Sequence, residues 1–363
     1  MSPLDAPPAP PAPRAVRTER YDTIVIGAGQ AGLAVGYHLA RRDADFLILE
    51  SAARVGESWR RRWDSLRTFT SAATMGLPGM PFPAAPAHLP YKDEIADYLE
   101  RYAQRFDLPV RCDTKVTSLT RSAGRYLIET GEIRYEASHV VVATGPFTTP
   151  SIPALAQELA PGIRQLHSSD YRNPFALDDG AVLVVGAGNA GARIALEVAR
   201  FRPVVLAGAT PRRLRRTLMG RDIHRWLLPV VRRLTNDTRA GRLLRRHLAH
   251  DPLVGITDAD FARAGVVRRG RVTGVSNGRP VLDGEALDVH TVIWSTGFVP
   301  DYRWIRIPLS FQDGAPRMHR GVVAESPGLY FVGLRFLHSL ASAFLGGVGD
   351  DAAYLARRIC EDA

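Results

Sequence analysis

Two glycine triplets carry the chemistry this chain can do. Gly27-Ala28-Gly29-Gln30-Ala31-Gly32 and Gly186-Ala187-Gly188-Asn189-Ala190-Gly191 share one spacing, 159 residues apart. In such a turn the first glycine permits a tight reversal, the second lets backbone amides reach a pyrophosphate, and the third lets a helix pack on a strand. The helix N-terminus then faces the phosphates, where its dipole favours anions. Two such sites imply two dinucleotides, and the chemical sense of holding both is hydride transfer from one to the other.

The elements that must position these turns are written around them. Tyr21 to Ile26 is a short β-branched run, and Leu33, Gly36, Tyr37 and Leu39-Ala40 then recur at helical spacing. A second run, Phe46 to Leu49, ends in Glu50, eighteen residues beyond Gly32, where a carboxylate would meet ribose hydroxyls. The pattern returns as an apolar run Ala181 to Val185, a helix through about Arg200 and a strand at Val204 to Leu206. Val140 to Gly145 closes the first copy and Val292 to Gly297 the second. Repetition on this scale predicts two related doubly wound, Rossmann-like α/β domains. We expect the second to be inserted in the first, with one dinucleotide-binding domain at 21–150 and 298–363, the other at 151–297, and a Pro/Ala-rich disordered tail at 1–20.

The copies differ at one position. Gly27 to Glu50 spans 23 residues, and the same step from Gly186 lands on Ala209, followed by Thr210-Pro211-Arg212-Arg213. An acid suits a free 2′-hydroxyl, whereas its absence beside Arg212 and Arg213 suits a 2′-phosphate, so FAD is expected at the first site and NADPH at the second.

Composition removes other classes. Hydrophobic residues are 45% and charged residues 23% of the 363, close to globular averages, so a disordered or fibrous chain does not fit. With only Cys112 and Cys360, a disulfide scaffold, a four-thiolate zinc site and a Cys-x-x-Cys redox pair are excluded, and a reducing, cytoplasmic setting is expected. The start lacks a charged region followed by an apolar core, and no uninterrupted apolar run is long enough to span a bilayer. The net charge of +10 is local: between Arg212 and Arg246 there are twelve arginines against Asp222 and Asp237. Ile223, Trp226, Leu227, Val230, Val231 and Leu234 recur there as one face of an amphipathic helix, kinked near Pro229. This excursion at about 212–250 reads as a packed or capping subdomain, with a membrane-surface contact as the alternative. Nucleic acid is not expected as a partner, because aromatic interleaving is limited to Trp226.

Beyond the glycine motifs, three segments carry a family resemblance: Gly56 to Arg67 (GESWRRRWDSLR), Leu77 to Pro83 (LPGMPFP) and His167 to Pro174 (HSSDYRNP). With them the chain resembles the class B flavoprotein monooxygenases, the group of flavin-containing monooxygenases, Baeyer-Villiger enzymes and plant auxin-forming monooxygenases, and is most similar to their short bacterial relatives. Two departures stand out. The Phe-x-Gly that precedes the histidine in the family is replaced by Pro161 and Ile163, and Gly333 is followed by Leu334 rather than aspartate.

The resemblance implies that NADPH reduces FAD, that oxygen adds to the flavin as a C4a-hydroperoxide, and that this oxygenates a small organic substrate at a heteroatom or carbonyl. An NADPH oxidase or reductase without oxygen insertion, and a non-catalytic flavin-binding protein, remain the alternatives. Relatives place an asparagine near the flavin in the stretch equivalent to Arg67–Ala72; here Thr70 or Ser71 would donate instead, and Asn189 is a further catalytic candidate. Cofactor contacts are expected at Gly27, Gly29, Gln30, Ala31, Gly32, Glu50, Ser58, Trp59, Arg60, Val116, Thr144, Gly145, Gly186, Gly188, Asn189, Ala190, Gly191, Arg212, Arg213, Thr296, Gly297 and Gly333, and no metal is expected. His338 and Ser339 precede a final amphipathic helix in a region that approaches the flavin's pyrimidine edge in this fold, with His338 itself read as structural.

Overall fold

The β-branched run before the first glycine motif becomes the middle strand of a parallel sheet. In the computed structural model, which describes residues 17–209, 211–247, 251–312 and 314–361, this strand β1 spans Arg17–Ile26 and leads through the glycine turn into helix α1, Gln30–Ala40. It starts four residues earlier than expected because Arg17–Tyr21 pair in parallel with Ile133–Ala137. Residues 17–20 are therefore strand, and the rest of the expected tail lies outside the described residues. Next come β2 (Phe46–Leu49), α2 (Lys92–Arg105), β3 (Val110–Arg111), β4 (Ser118–Ser122), β5 (Arg125–Glu129) and β6 (Ile133–Val142).

The second glycine turn is built alike. After β7 (Arg164–His167), β8 (Val182–Val185) leads into α3 (Asn189–Val198) and β9 (Val204–Ala207). The basic excursion holds α4 (Ile223–Arg233) and α5 (Arg239–His247), followed by β10 (Val267–Arg269) and β11 (Thr291–Trp294). The chain ends with β12 (Leu329–Phe331) and α6 (Val348–Glu361).

These strands sort into two sheets. The first has the parallel order β3-β2-β1-β6-β12, with β5 and β4 continuing antiparallel from the early part of β6. The second is parallel throughout, in the order β7-β11-β8-β9-β10. Where the chain leaves the first sheet and returns to it, Thr149–Pro150 pair antiparallel with Phe298–Val299, so the two crossings are tied together.

Close packing explains the sheet-facing sides. A Cβ at Gly36 would lie 2.7 Å from Ile48 Cδ1, so any larger residue would push the Ile48 side chain aside where α1 packs on β2. Helix α6 packs along α1, burying Val348, Ala352, Leu355 and Ile359 in the same core. In the second unit the fully buried Trp294 donates its indole N–H to Gln165 at 3.1 Å, satisfying the ring's one polar atom.

Candidate dinucleotide sites and the segments beside them

Both glycine turns have the geometry a dinucleotide requires. Gly27 and Gly186 sit at φ of +107° and +111°, a left-handed region open to glycine, where a side chain would also strike Ala143 O and Ser295 O. A Cβ at Gly32 would lie 1.9 Å from Gly27 O, and one at Gly191 would lie 1.9 Å from Gly186 O. The first and third glycines are thus required by the protein's own packing. Gly29 and Gly188 differ, since a Cβ at either meets nothing within 4 Å. Both precede their helices with ordinary extended dihedrals (φ −75° and −72°), so open space stands in front of each helix N-terminus where a pyrophosphate would lie.

The ends of β2 and β9 separate the two sites. Glu50 accepts from the Ala28 amide at 2.8 Å and from the Ala52 amide at 2.9 Å, which fixes its carboxylate beside the turn. By strand register Leu49 corresponds to Ala207, because Gly27 N bonds Leu49 O and Gly186 N bonds Ala207 O. The counterpart of Glu50 is therefore Gly208, one residue before the Ala209 reached by equal spacing; the second unit's helix is one residue shorter, ten residues against eleven. At Gly208 a Cβ would lie 3.1 Å from the Ala187 nitrogen, so no side chain stands where Glu50 stands in the first site. Arg212 and Arg213 follow within five residues and are exposed, although Arg213 forms a two-pronged ion pair with Asp258. Thr210 lies outside the described residues.

Three distant pieces of chain meet beside the start of α1. Helix α4 packs on residues 72–74 and on the turn Leu340–Ala343, and Gln30 at the start of α1 donates to Ala343 O at 2.8 Å. Asp222 caps α4 and accepts from the Ser71 amide, the His224 amide and the His224 ring at 2.8, 2.8 and 2.9 Å. Burial alone would raise the pKa of Asp222, but these His224 and Ser71 bonds outweigh it and hold the carboxyl below its ordinary range. Ser71 itself is 2% exposed, and its hydroxyl has no partner among the described residues. Leaving a buried hydroxyl unpaired costs roughly 1–3 kcal/mol, which an acceptor on a bound cofactor would recover. The flanking Thr70 is half-buried, and its carbonyl is taken by the Thr68 hydroxyl.

Other expected residues have structural duties. The Asn189 amide bridges Pro252 O (2.8 Å) and the Val254 amide (3.0 Å), anchoring the return of the basic excursion, so its side chain is not free for catalysis; its backbone remains at the second helix start. Arg60 reaches back to Val55 O, Asp97 and Glu100, so its guanidinium ties the loop to α2. Ser58 is exposed and Trp59 packs on the first core. Val116 packs on the opposite side of that sheet, close after Thr114, whose amide bonds Glu50 O. Thr144 and Gly145 follow β6 and Thr296 and Gly297 follow β11; the Thr296 hydroxyl bonds Ser151 O. Gly333 lies on the start of α1, where a Cβ would come within 2.6 Å of Ala31 Cβ; Ala190 is half-buried in the second turn. The His338 ring is 3.7 Å from Asp237, burial lowers its pKa, and its carbonyl accepts from the Asn236 amide, so it serves in docking the excursion.

Two of the motif segments form a clasp. Asp64 accepts from Asn173 at 2.7 Å, the Asp64 amide donates to Arg172 O, and Arg172 donates to Arg61 O. Trp63 is buried in the second unit's core, and Arg62 lies 5.6 and 5.7 Å from the Phe147 and Phe298 rings. His167, fully buried, bridges Ser169 and Gly297 O at 2.9 Å each, and burial lowers its pKa. The contacts within reach of Asp222 and His224 were not foreseen from sequence; the one available signal was Asp222 standing as an N-cap before an apolar helix.

The pyridine nucleotide-disulphide oxidoreductase family model matches residues 24–244. An uncharacterized CzcO-like oxidoreductase of Geobacillus kaustophilus is 40% identical over 338 residues, covering 92% of this chain and 97% of that protein. The probable indole-3-pyruvate monooxygenase YUCCA7 of Arabidopsis thaliana is 27% identical over 76% of this chain and 73% of its own. Among solved structures, a flavin-containing monooxygenase from Stenotrophomonas maltophilia superposes with a TM-score of 0.76 at 26% identity, covering 95% of this chain and 99% of that one.

Proposed function

This chain belongs to the pyridine nucleotide-disulphide oxidoreductase family, and from that premise we propose that it is an FAD-dependent, NADPH-consuming monooxygenase acting on a small organic substrate. The observation that carries the reading is the doubled glycine cradle, open in front of Gly29 and Gly188, with a carboxylate at one ribose position and glycine at the other. Disulfide exchange, which the family's name suggests, needs paired thiols; the chain has only Cys112 and Cys360, both free. Similarity to a flavin-containing monooxygenase and to a probable indole-3-pyruvate monooxygenase supports oxygenation instead.

FAD would be held by the turn Gly27–Gly32, by Glu50 on the adenosine ribose and by Gly333 over the start of α1, in a unit made of 21–150 and 298–363. NADPH would be held by Gly186–Gly191, with Arg212 near its 2′-phosphate, in a unit of 151–297. Bound FAD, once reduced by NADPH, supplies the oxygen-activating chemistry. The chain's own contribution is placement and exclusion of water. The Ser71 hydroxyl offers a buried donor, and the Asp222 carboxylate fixes the Ser71 backbone while capping the helix that packs on residues 72–74. The clasp joining residues 61–64 to 171–174 keeps the two units at a fixed separation, which transfer between two bound dinucleotides demands.

The test is to purify the protein, identify its released flavin, and measure NADPH oxidation and peroxide over a panel of amines, thioethers, ketones and 2-oxo acids. Product formation that suppresses peroxide release supports the reading. NADPH consumption matched by peroxide for every compound would make the chain an oxidase.

A further inference from the structure

The basic excursion packs on residues 72–74 and 340–343 and turns another part of its surface to solvent. Its apolar helix, read from sequence as packed or capping with a membrane-surface contact as the alternative, turns only part of its apolar face inward: Val231 is buried and Leu227 and Leu228 are half-buried. Trp226 and Val230 are 46% and 51% exposed, one turn apart and flanked by the exposed Arg225 and Arg233. Just before them, strands Thr217–Leu218 and Arg221–Asp222 form a two-residue hairpin whose tip, Met219, is 87% exposed with Leu218 at 47% beside it. In α5, Leu243 is 57% exposed between Arg239 and Arg246, which lie four residues before it and three after, on the same face of the helix.

Charge in this segment is mostly of one sign. Its two acids are both engaged, Asp222 by Ser71 and His224 and Asp237 by His319 at 3.0 Å, and of the twelve arginines in residues 212–246 Arg213 is paired with Asp258 and Arg232 with Asp350. Flexible apolar side chains and a tryptophan projecting among arginines match the boundary between phosphate headgroups and acyl chains. A single-stranded nucleic acid would instead call for a row of stacking rings, and one tryptophan does not make one.

We propose that the outward side of residues 215–246 is a docking surface for anionic phospholipid membranes. Leu218, Met219, Trp226 and Val230 enter the headgroup region and the surrounding arginines meet lipid phosphates. Among the described residues no helix is long and apolar enough to cross a membrane, so attachment is peripheral and salt-sensitive. This docking does not depend on the oxygenation reading.

The full-length flavin-loaded protein is sedimented with vesicles of phosphatidylcholine alone and with vesicles of equal parts phosphatidylcholine and phosphatidylglycerol. The expected result is partition onto the anionic vesicles only, reversed by raised salt. Arg225→Gln with Arg233→Gln should weaken partition about tenfold to thirtyfold, and Trp226→Ser with Val230→Ser about tenfold or more. Since these side chains face solvent, flavin content and thermal unfolding stay as in the parent. No sedimentation with anionic vesicles, equal sedimentation with neutral ones, or unchanged partition of both variants would overturn the proposal. So would duplex DNA or RNA displacing the vesicles, or a self-association in solution abolished by Trp226→Ser with Val230→Ser, which would make the surface an interface between copies.

Discussion

Replacing each glycine of the two turns by alanine should separate packing from binding. At Gly32 the new Cβ would stand 1.9 Å from Gly27 O, against an ordinary contact of 3.4 Å or more, so helix and turn must part by about 1.5 Å. Both neighbours are backbone and cannot rotate away, which sets the cost at the upper end of, or beyond, the roughly 1–3 kcal/mol of overpacking. Gly191→Ala repeats this in the second unit, where the distance is again 1.9 Å. At Gly29 the Cβ meets nothing and φ is −75°, so alanine is strain-free. A poorer N-cap and a stiffer unfolded chain roughly cancel there, leaving stability within about 1 kcal/mol of the parent. Yet that methyl group occupies the space assigned to the FAD pyrophosphate. Urea unfolding of the apoproteins and flavin-to-protein absorbance ratios after reconstitution read the two effects. Gly29→Ala should keep its apoprotein midpoint and lose flavin, Gly188→Ala should keep flavin and lose NADPH reduction, and Gly32→Ala should lower the midpoint itself. Full flavin occupancy and full NADPH reduction in Gly29→Ala and Gly188→Ala would refute the placement of phosphates at these turns.

Three further outcomes are expected. Arg212→Ala should raise the KM for NADPH about tenfold, the worth of one charge-assisted hydrogen bond, with little change for NADH; equal effects on both coenzymes would put the 2′-phosphate elsewhere. Asp222→Asn should loosen the cover over residues 69–75, seen as faster hydrogen exchange there. Because the native pKa of Asp222 is depressed, its stabilisation is complete above the ordinary carboxyl range and is lost only as pH falls through the lower native value, so the parent's exchange pattern should hold at pH 5 and the variant's should not depend on pH there. Asp351 is the opposite case: burial raises its pKa to about 6, Arg320 is 3.9 Å away, and one carboxylate oxygen has no partner among the described residues. The folded state then holds the extra proton between about pH 4 and 6, stability falls across that window by up to about 3 kcal/mol, and Asp351→Asn should flatten the profile and stabilise the protein at pH 7 in thermal melts. An unchanged profile would mean that the carboxylate is solvated.

The glycine turns were legible in the sequence because everything that defines them is local. Strand, turn and helix are contiguous, and the packing constraints at Gly32 and Gly191 act over five residues. What depended on counting failed by one: equal spacing pointed to Ala209, whereas hydrogen-bond register equates Glu50 with Gly208. What depended on tertiary contact was misread or missed. Trp226 and Val230 fit the helical period of Leu227 and Val231, yet α4 packs on residues 72–74 and 340–343 by a narrower face that leaves both about half exposed. Arg60 and Asn189 occupy motif positions, but their side chains meet Asp97, Glu100, Pro252 and Val254, partners 37 to 65 residues away. The Ser71–Asp222 bond spans 151 residues and joins a loop to an insertion, which no local pattern announces.

Oxygenation is tested most directly by reducing the flavin-loaded protein with NADPH under anaerobic conditions, mixing it with oxygen in a stopped-flow spectrometer and following the full visible spectrum. A long-lived absorbing species, distinct from both reduced and oxidised flavin and decaying faster when a substrate is present, is the predicted result. Direct return to the oxidised spectrum with one peroxide released per flavin, with or without any compound of the panel, would contradict it.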